Sequence, residues 1–310
     1  MEQRLSSRSM ARWSAWAVPV AVAWIVLPAA SPALADQAAT PNGRVSSAAT
    51  PVPTVTRVPA PVPTVTPVPT GIPAVGPVFP AGIGSPHECT GAVARSDQAN
   101  LVLTAAHCLT GTGAGVAFVP GYHDGLAPFG VWTVDGVYVD PRWVAGQDPR
   151  FDYAVVTVVP ARDGRRRPGR LSDLVGGYAV GVAPVPGRRV EVPAYAAGSN
   201  DVPFTCTAPT YSLNGYPAFD CHGYVSGTSG SPWLTRDRDG VPVIRGVIGG
   251  LHQGGCVEYT SYSSRFTPAV QALLVRATRG GPADELPLPG GDGCDTLTPA
   301  ADTAAPALAP

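Results

Sequence analysis

Three side chains with complementary chemistry stand well apart in the sequence: His107, Asp152 and Ser229. A serine hydroxyl is a weak nucleophile and needs an adjacent base that takes its proton. A histidine supplies such a base near neutral pH, and an aspartate can hold that histidine in one tautomer and stabilise its cationic form. Together these residue types can attack a carbonyl group and form a covalent intermediate. Each is ambiguous alone, because strand-end histidines, turn aspartates and Gly-Ser turns are common.

The sequence around each of these residues narrows the interpretation. His107 follows an apolar run in LVLTAAHC, and Asp152 directly precedes the apolar run YAVVTVV, where a buried charge needs a partner. Ser229 lies in GTSGSP, in which Gly227 and Gly230 allow a tight turn and leave backbone N–H groups exposed for an oxyanion. The chain therefore carries the residue types of acyl-transfer chemistry in the order His, Asp, Ser.

The motifs TAAHC, DYAVV and GTSGSP, in this order, resemble those of the chymotrypsin-like (trypsin-like) serine peptidases, in their bacterial secreted branch. The resemblance extends from Val75 to Thr278. It implies an all-β fold of two perpendicular six-stranded β-barrels with a C-terminal α-helix. It also implies a secreted serine endopeptidase that hydrolyses peptide bonds through an acyl-enzyme, with no cofactor and no metal.

The resemblance assigns roles to the matching positions. Ser229 is the nucleophile, His107 is the general base and then the general acid, and Asp152 orients the histidine. The backbone N–H groups of Gly227 and Ser229 form the oxyanion hole. The stretch GVIGG, residues 246–250, matches the strand that pairs with an extended substrate.

Substrate binding is predicted less completely. Three glycines at matching positions are expected to contact the substrate: Gly223, Gly249 and Gly250. Trypsin-type enzymes carry an aspartate for Arg and Lys substrates at the position of Gly223. Because Asp220 is displaced from that position by three residues, trypsin specificity is not transferred. An acidic preference through His222 or His252 is an open alternative.

Two further positions depart from the family pattern. In many relatives a serine helps to hold the catalytic aspartate, and Gly249 occupies that place here. Thr228 stands where animal-type members have an aspartate that binds the N-terminus released on activation. Activation by that salt bridge is therefore not expected, and N-terminal heterogeneity around Val75 should leave turnover unchanged.

The elements that must position these residues are mostly strands. Short apolar, β-branched runs separated by Gly, Pro, Asp and Asn predict an all-β sandwich or barrel. The stretch TPAVQALLVRATRG predicts one helix, with Thr267 as N-cap, Pro268 at the first helical position and Gly280 at the end. Its apolar face has the i, i+3, i+4, i+7 pattern of Val270, Leu273, Leu274 and Ala277.

The ends of the chain differ in composition from this body. Three arginines, an apolar stretch and the site Ala33-Leu34-Ala35 form a secretory signal, and two prolines within the stretch disfavour an uncleaved anchor. The Pro-rich part with two PVPTVT blocks predicts a spacer or pro-segment, with a stalk as the alternative. Four regions follow: a signal peptide over 1–35, a disordered spacer over 36–72, a peptidase domain over 73–280 and a Pro/Ala-rich tail over 281–310.

The predicted export governs how the six cysteines are interpreted. An even number of cysteines outside the cytoplasm usually forms disulfides. The expected disulfide cysteines are Cys89 with Cys108, beside His107, and Cys206 with Cys221, which bracket one loop. Cys256 and Cys294 remain, and only elimination suggests that they pair. The sequence contains no Cys-x-x-Cys, and no metal site is predicted.

Charge and composition limit the partners. The 310-residue chain has a formal net charge of −1, which does not indicate a nucleic-acid partner. We expect a protein or peptide substrate, an extracellular monomer and no stable membrane insertion after signal cleavage. A protease fold used only for binding or adhesion is the main alternative, although such proteins typically lose one of the three residues. An esterase is disfavoured because Gly-x-Ser-x-Gly is absent at GTSGSP.

Overall fold

The computed structural model describes residues 61–161, 169–199 and 202–294. The predicted signal peptide, most of the predicted spacer and the tail beyond residue 294 lie outside the described residues. Within the described parts of the chain, none of the helices has the length and apolar character that a membrane crossing requires.

The described residues form mainly short strands. The strands are β1 (Thr66–Pro67), β2 (Val75–Phe79), β3 (Cys89–Ala94), β4 (Leu101–Thr104), β5 (Ala117–Phe118), β6 (Trp132–Val139), β7 (Ala154–Pro160), β8 (Ala179–Val180), β9 (Arg189–Glu191), β10 (Phe204–Thr205), β11 (Thr207–Leu213), β12 (Tyr216–Asp220), β13 (Pro232–Arg236), β14 (Pro242–Val247) and β15 (Thr260–Tyr262). The helices are α1 (Pro141–Gly146), α2 (Leu171–Val175) and α3 (Pro268–Thr278), with 3₁₀ turns at Ala106–Cys108, Pro149–Phe151 and Leu251–Gly254.

Six strands close the first barrel in the order β2-β3-β4-β7-β6-β5. Strands β3 and β4 are buried along their whole length, and their alternate residues belong to two different core clusters. Side chains that alternate between two faces explain why these strands are apolar throughout. In the antiparallel pair of β4 and β7, Thr104 lies opposite Ala154. This register places the end of β4 beside the start of β7.

The second half of the body is a seven-stranded sheet in the order β15-β12-β11-β9-β13-β14-β8. The all-β prediction and the first six-stranded barrel are confirmed. The second sheet differs from the expected six-stranded barrel, because β8 joins its edge in parallel with β14. Its core contains Trp233, Phe219 and Tyr224, whose rings pack edge to face with centroids 5.0 and 5.1 Å apart.

The predicted C-terminal helix is confirmed as α3. Thr267 is its N-cap and accepts a hydrogen bond from the Ala269 N–H group at 3.3 Å. The buried residues of the helix are Val270, Leu273, Leu274 and Ala277, the predicted apolar face. They join the core cluster that also contains residues of the first barrel and of the second sheet.

Parts of the predicted spacer and tail belong to the ordered body. Strand β1 pairs with β10 of the second half, and Leu286 in the tail exchanges two backbone hydrogen bonds with Gly111. The body therefore extends beyond the predicted bounds of 73–280 at both ends. Val75 is completely buried in β2, so trimming that reaches it would remove a barrel strand. The expectation that N-terminal heterogeneity leaves turnover unchanged stays a prediction, and it applies to forms that keep β2.

Three disulfides cross-link the described chain. They join Cys89 to Cys108, Cys206 to Cys221, and Cys256 to Cys294. The first two pairs were expected from the sequence, and the third completes the set that elimination suggested. Two groups with metal-ligand spacing, around His107 and His252, each contain one of these disulfides. Each group therefore offers a single imidazole and no thiolate to a metal.

Candidate active site

The pairing of β4 with β7 brings His107 and Asp152 together. His107 lies in the 3₁₀ turn after β4, and Asp152 lies just before β7. His107 Nδ1 is 2.7 Å from Asp152 Oδ2, and the backbone N–H of His107 donates to Asp152 Oδ1 at 3.0 Å. A carboxylate only accepts hydrogen bonds, so the proton sits on Nδ1 and Nε2 is left as the basic nitrogen.

Asp152 is completely buried, which is costly for a charge without partners. Besides the two bonds from His107, its Oδ2 accepts a hydrogen bond from the backbone N–H of Gly250 at 2.8 Å. Three N–H donors thus replace the water that the carboxylate loses. The Gly250 N–H supports the carboxylate that a serine at the position of Gly249 was expected to hold, and a Cβ on Gly249 would lie only 3.0 Å from Asp152 Oδ2.

Ser229 lies in a turn of the second half that is held by the first barrel. The backbone N–H of Thr90, in β3, donates to the Ser229 carbonyl at 2.7 Å, and the Thr90 hydroxyl donates to the Gly227 carbonyl at 3.0 Å. The same hydroxyl accepts a hydrogen bond from the Tyr195 N–H at 3.0 Å. Thr90 therefore holds the turn at the carbonyl groups of Gly227 and Ser229.

The two N–H groups predicted for the oxyanion hole have no acceptor among the described residues. Gly227 has a φ of +94°, a conformation that glycine adopts without strain. Gly227 and Ser229 both line the cleft, so their N–H donors can meet a ligand there. Donors preorganised in this way are what a developing oxyanion requires.

A cleft of about 870 Å³ lies between the two halves. Its wall includes His107 and Ser229, but no hydrogen bond joins these two side chains within the described chain. Catalytic hydrogen bonds are often long without substrate and shorten when it binds. His107 and Ser229 thus share the wall of one cleft, and buried Asp152 contacts His107 from behind that wall, while the contact from serine to histidine is open.

One wall of this cleft carries Glu258, which the sequence analysis did not select. Its Oε1 lies 2.7 Å from His222 Nδ1, and its Oε2 accepts a hydrogen bond from the Gly223 N–H at 2.6 Å. The hydrogen bond from His222, followed by that from Gly223, lowers the pKa of Glu258. A carboxylate held in this way is ionised in the neutral range.

The other residues considered for specificity lie in different places. Asp220 Oδ1 accepts hydrogen bonds from Tyr211 at 2.7 Å and from Thr260 at 2.8 Å, which gives it a structural role. His252 lines the cleft, and its Nδ1 lies 2.9 Å from the Asp292 carbonyl oxygen. Gly223, Gly249 and Gly250 lie behind or beside the cleft wall, and their contact with substrate stays a prediction.

A family model described as a trypsin-like peptidase domain matches residues 89–243, which is half of the chain. This chain belongs to the trypsin-like peptidases. The matched region contains the His107–Asp152 pair and the turn that carries Ser229. A search of curated protein sequences found none that matches this trypsin-like peptidase.

Solved structures agree with the fold of this trypsin-like peptidase. Protease Anisep from Arthrobacter nicotinovorans is 22% identical, with a TM-score of 0.58 over 70% of this chain and 100% of its own. The thermostable serine protease AL20 from an extremophilic microorganism is 20% identical, with a TM-score of 0.55 over 67% and 97%. A Glu endopeptidase is 17% identical, with a TM-score of 0.52 over 70% and 97%. Family and neighbours together support a serine peptidase.

Three residues of the site were not found from the sequence: Thr90, Gly250 as a donor to Asp152, and Glu258. Thr90 follows Cys89, and only the paired strands show that it reaches the serine turn. Gly250 acts through a backbone N–H, which has no sequence pattern. The sequence around Glu258 carries no motif, and its two hydrogen-bond donors lie 35 and 36 residues away along the chain.

Proposed function

We propose that this trypsin-like peptidase is a secreted serine endopeptidase that cleaves peptide bonds through an acyl-enzyme. The observation that carries the proposal is the 2.7 Å contact between His107 Nδ1 and buried Asp152, on the wall of the cleft that Ser229 also lines. The predicted signal peptide over residues 1–35 and the three disulfides favour an extracellular location.

The proposed reaction begins with proton transfer from Ser229 Oγ to His107 Nε2. As the Oγ–C bond forms, the carbonyl π electrons move to oxygen, and the N–H groups of Gly227 and Ser229 stabilise the oxyanion. Asp152 stabilises the imidazolium that results. Collapse breaks the C–N bond, and His107 gives its proton to the leaving amine. Water then attacks the ester carbonyl carbon as His107 takes one of its protons. Collapse breaks the C–Oγ bond, and His107 returns that proton to Ser229 Oγ as the carboxylic acid leaves.

A serine-directed phosphonate probe tests this proposal on the protein collected from the culture medium. We expect covalent labelling of the wild type and none of Ser229→Ala, because the phosphorus atom needs an activated serine oxygen. Ser226→Ala is the matched control, since Ser226 lines the same cleft three residues earlier. Absence of wild-type labelling in folded protein would favour the binding-module alternative. N-terminal sequencing of the same sample tests export, with an expected start after Ala35.

A further inference from the structure

We propose that the second half carries a peptide-binding groove separate from the substrate cleft, and that the chain's own residues 62–68 occupy it and position Glu258. We call these residues the N-terminal segment. The groove binds an extended peptide rich in valine, proline and threonine. Its role in substrate binding rests on the proposed function, whereas its occupancy does not.

The N-terminal segment binds as an added strand. Thr66 and Pro67 pair antiparallel with β10, and the Val68 N–H donates to the Pro203 carbonyl at 2.7 Å. Towards its start the segment lies parallel to the chain at His222. Main-chain pairing of this kind gives affinity, and alternate side chains give selectivity. Proline suits an edge strand, since its missing N–H does not interrupt a ladder on the outer side.

Val65 is the side chain that enters the groove. It is half-buried against the core cluster around Trp233 and Phe219, while Thr64 and Thr66 are exposed. A Cβ on Gly223 would lie 2.7 Å from Val65 Cγ2, so only a glycine at 223 leaves room for this valine. Half-buried Pro63 and Val65 alternate with the exposed residues Val62, Thr64 and Thr66, and this alternation defines what the groove selects.

The N-terminal segment contacts His222 and Gly223, the two residues that hydrogen-bond to Glu258. The Val65 N–H donates to the His222 carbonyl at 3.0 Å, and the His222 N–H donates to the Pro63 carbonyl at 2.8 Å. His222 and Gly223 in turn contact the two carboxylate oxygens of Glu258. The side chains of His222 and Glu258 are 46% and 45% exposed. Their backbones are also joined through hydrogen bonds from Cys221 to Tyr259 and from Tyr224 to Glu258, so the segment is one of two supports at this point. Loss of the segment therefore removes two backbone hydrogen bonds from His222, the residue whose ring contacts Glu258 on the wall of the substrate cleft.

The sequence holds a second possible occupant, because PVPTVT occurs at 51–56 and again at 61–66. A variant that spares the first block would leave a replacement peptide in the chain. The test therefore changes both blocks, as Val55→Asp with Val65→Asp. Thr54→Asp with Thr64→Asp is the matched control, with the same added charge and with Thr64 on the exposed side of the segment.

Steady-state kinetics on a peptide substrate are the first readout. We expect the double variant Val55→Asp with Val65→Asp to raise KM about tenfold and to change kcat less than threefold. A change in KM of this size is typical of the coupling between two binding sites. The threonine pair should leave KM within twofold of wild type. Free peptide Pro-Val-Pro-Thr-Val-Thr-Pro-Val-Pro should restore KM, and the same peptide with aspartate for its second valine should not. In a Glu258→Ala background the valine substitutions should have less than a twofold effect.

Two results overturn the proposal. One is an unchanged KM in the valine variant. The other is a loss that the peptide does not restore in a variant whose thermal unfolding matches wild type. If the valine variant does not fold, amide hydrogen exchange of the wild type tests the proposal instead. Because coupling between two sites is reciprocal, phosphonate bound in the cleft should slow exchange of the Val65 and His222 amides. An unchanged exchange rate overturns the link between groove and cleft.

Failure of the proposed function gives a different pattern. A wild type that takes no phosphonate refutes the peptidase, and the groove is then tested by direct binding of the free peptide to the valine variant. The groove is supported if the peptide with the chain's own sequence binds and the aspartate-containing peptide does not. If neither peptide binds, the groove proposal is overturned.

Discussion

At the scale of single residues, the site depends on backbone donors as much as on side chains. The Asp152 carboxylate accepts hydrogen bonds from the backbone N–H groups of His107 and Gly250 and contacts the imidazole of His107. The first two donors belong to the main chain, so a substitution removes them only if it displaces the backbone. The vulnerable positions are those where an added Cβ would move the backbone itself.

Gly227 is such a position. Its φ of +94° is strained for other residues, and a Cβ there would overlap the Ala197 nitrogen and lie 2.5 Å from the Ala196 carbonyl carbon. We expect Gly227→Ala to displace the N–H proposed for the oxyanion and to lower kcat by about 10²–10³, the cost of losing one such donor. Rates on a peptide substrate, with thermal unfolding measured in parallel, check this.

Gly215→Ala is the control for Gly227→Ala. Gly215 has a φ of +82° in the hairpin between β11 and β12, but a Cβ there would meet nothing within 4 Å. It should share the cost of a strained backbone without any loss of kcat. Activity of Gly227→Ala within threefold of wild type would show that the turn can move without consequence.

Sequence motifs marked candidate residues where chemistry needs a side chain. His107, Asp152 and Ser229 each have such a motif; the structure places His107 and Ser229 on the wall of one cleft and buries Asp152 against His107, and their catalytic roles stay a prediction. Thr90 and Glu258 act through contacts between distant segments, so no local pattern marks them. Glu258 illustrates the limit: its partners are set by the pairing of the chain near 222–224 with 258–260, which a single sequence does not give.

At the scale of elements, the long helix could be predicted from its repeating apolar pattern, whereas the short helices could not. The helix α3 has four buried residues in register, which makes its period visible. The helices α1 and α2 have six and five residues, too few to establish a period. The short helix α1 still has a sequence-encoded start, because Asp140 precedes Pro141 as N-cap.

Asp140 gives a pH-dependent prediction. Its carboxylate accepts hydrogen bonds from the Arg142 side chain, two at 2.7 Å, and from the Arg142 N–H at 3.0 Å. The side-chain bonds are the main reason that the pKa of Asp140 falls below its ordinary 3.8. A carboxylate with a lower pKa when folded stabilises the fold above the unfolded value, and this contribution disappears as pH falls through the folded value.

We expect Asp140→Ala to lower the free energy of unfolding by about 1 kcal/mol at pH 7, mostly through the lost cap, because Arg142 is largely exposed. The difference from wild type should shrink below pH 3.8. Urea unfolding at a series of pH values measures it, and Asp135→Asn, an exposed site in β6, is the control. A difference that grows towards acid would contradict the assignment.

At the scale of the whole molecule, the two ends of the described chain cross between the halves. The N-terminal segment lies on the second half, and the tail passes over the first barrel before it returns to the cleft. Pro-rich composition predicted a spacer and a tail, since proline density argues against a packed core. It does not argue against strands added at an edge, where a few main-chain hydrogen bonds and one valine suffice.

The tail forms part of the cleft wall. After Leu286 it is held by Gln147, whose side chain donates to the Leu288 carbonyl at 2.9 Å and accepts from the Gly290 N–H at 2.7 Å. Pro289, Asp292 and Cys294 then line the cleft. The disulfide from Cys294 to Cys256 fixes the end of this path beside the turn that carries His252.

Removing that disulfide should therefore affect both stability and substrate binding. For Cys256→Ser with Cys294→Ser, we expect the free energy of unfolding to fall by up to about 4 kcal/mol. The reason is that the unfolded chain is no longer constrained by a loop with a sequence separation of 38. We also expect KM to rise several-fold with kcat nearly unchanged, because the wall moves while His107 and Asp152 do not. Asp292→Asn, which keeps the disulfide, separates the charge of the tail from its position. An unchanged KM in the double serine variant, with stability lowered as expected, would mean that the tail supports the fold and has no part in holding substrate.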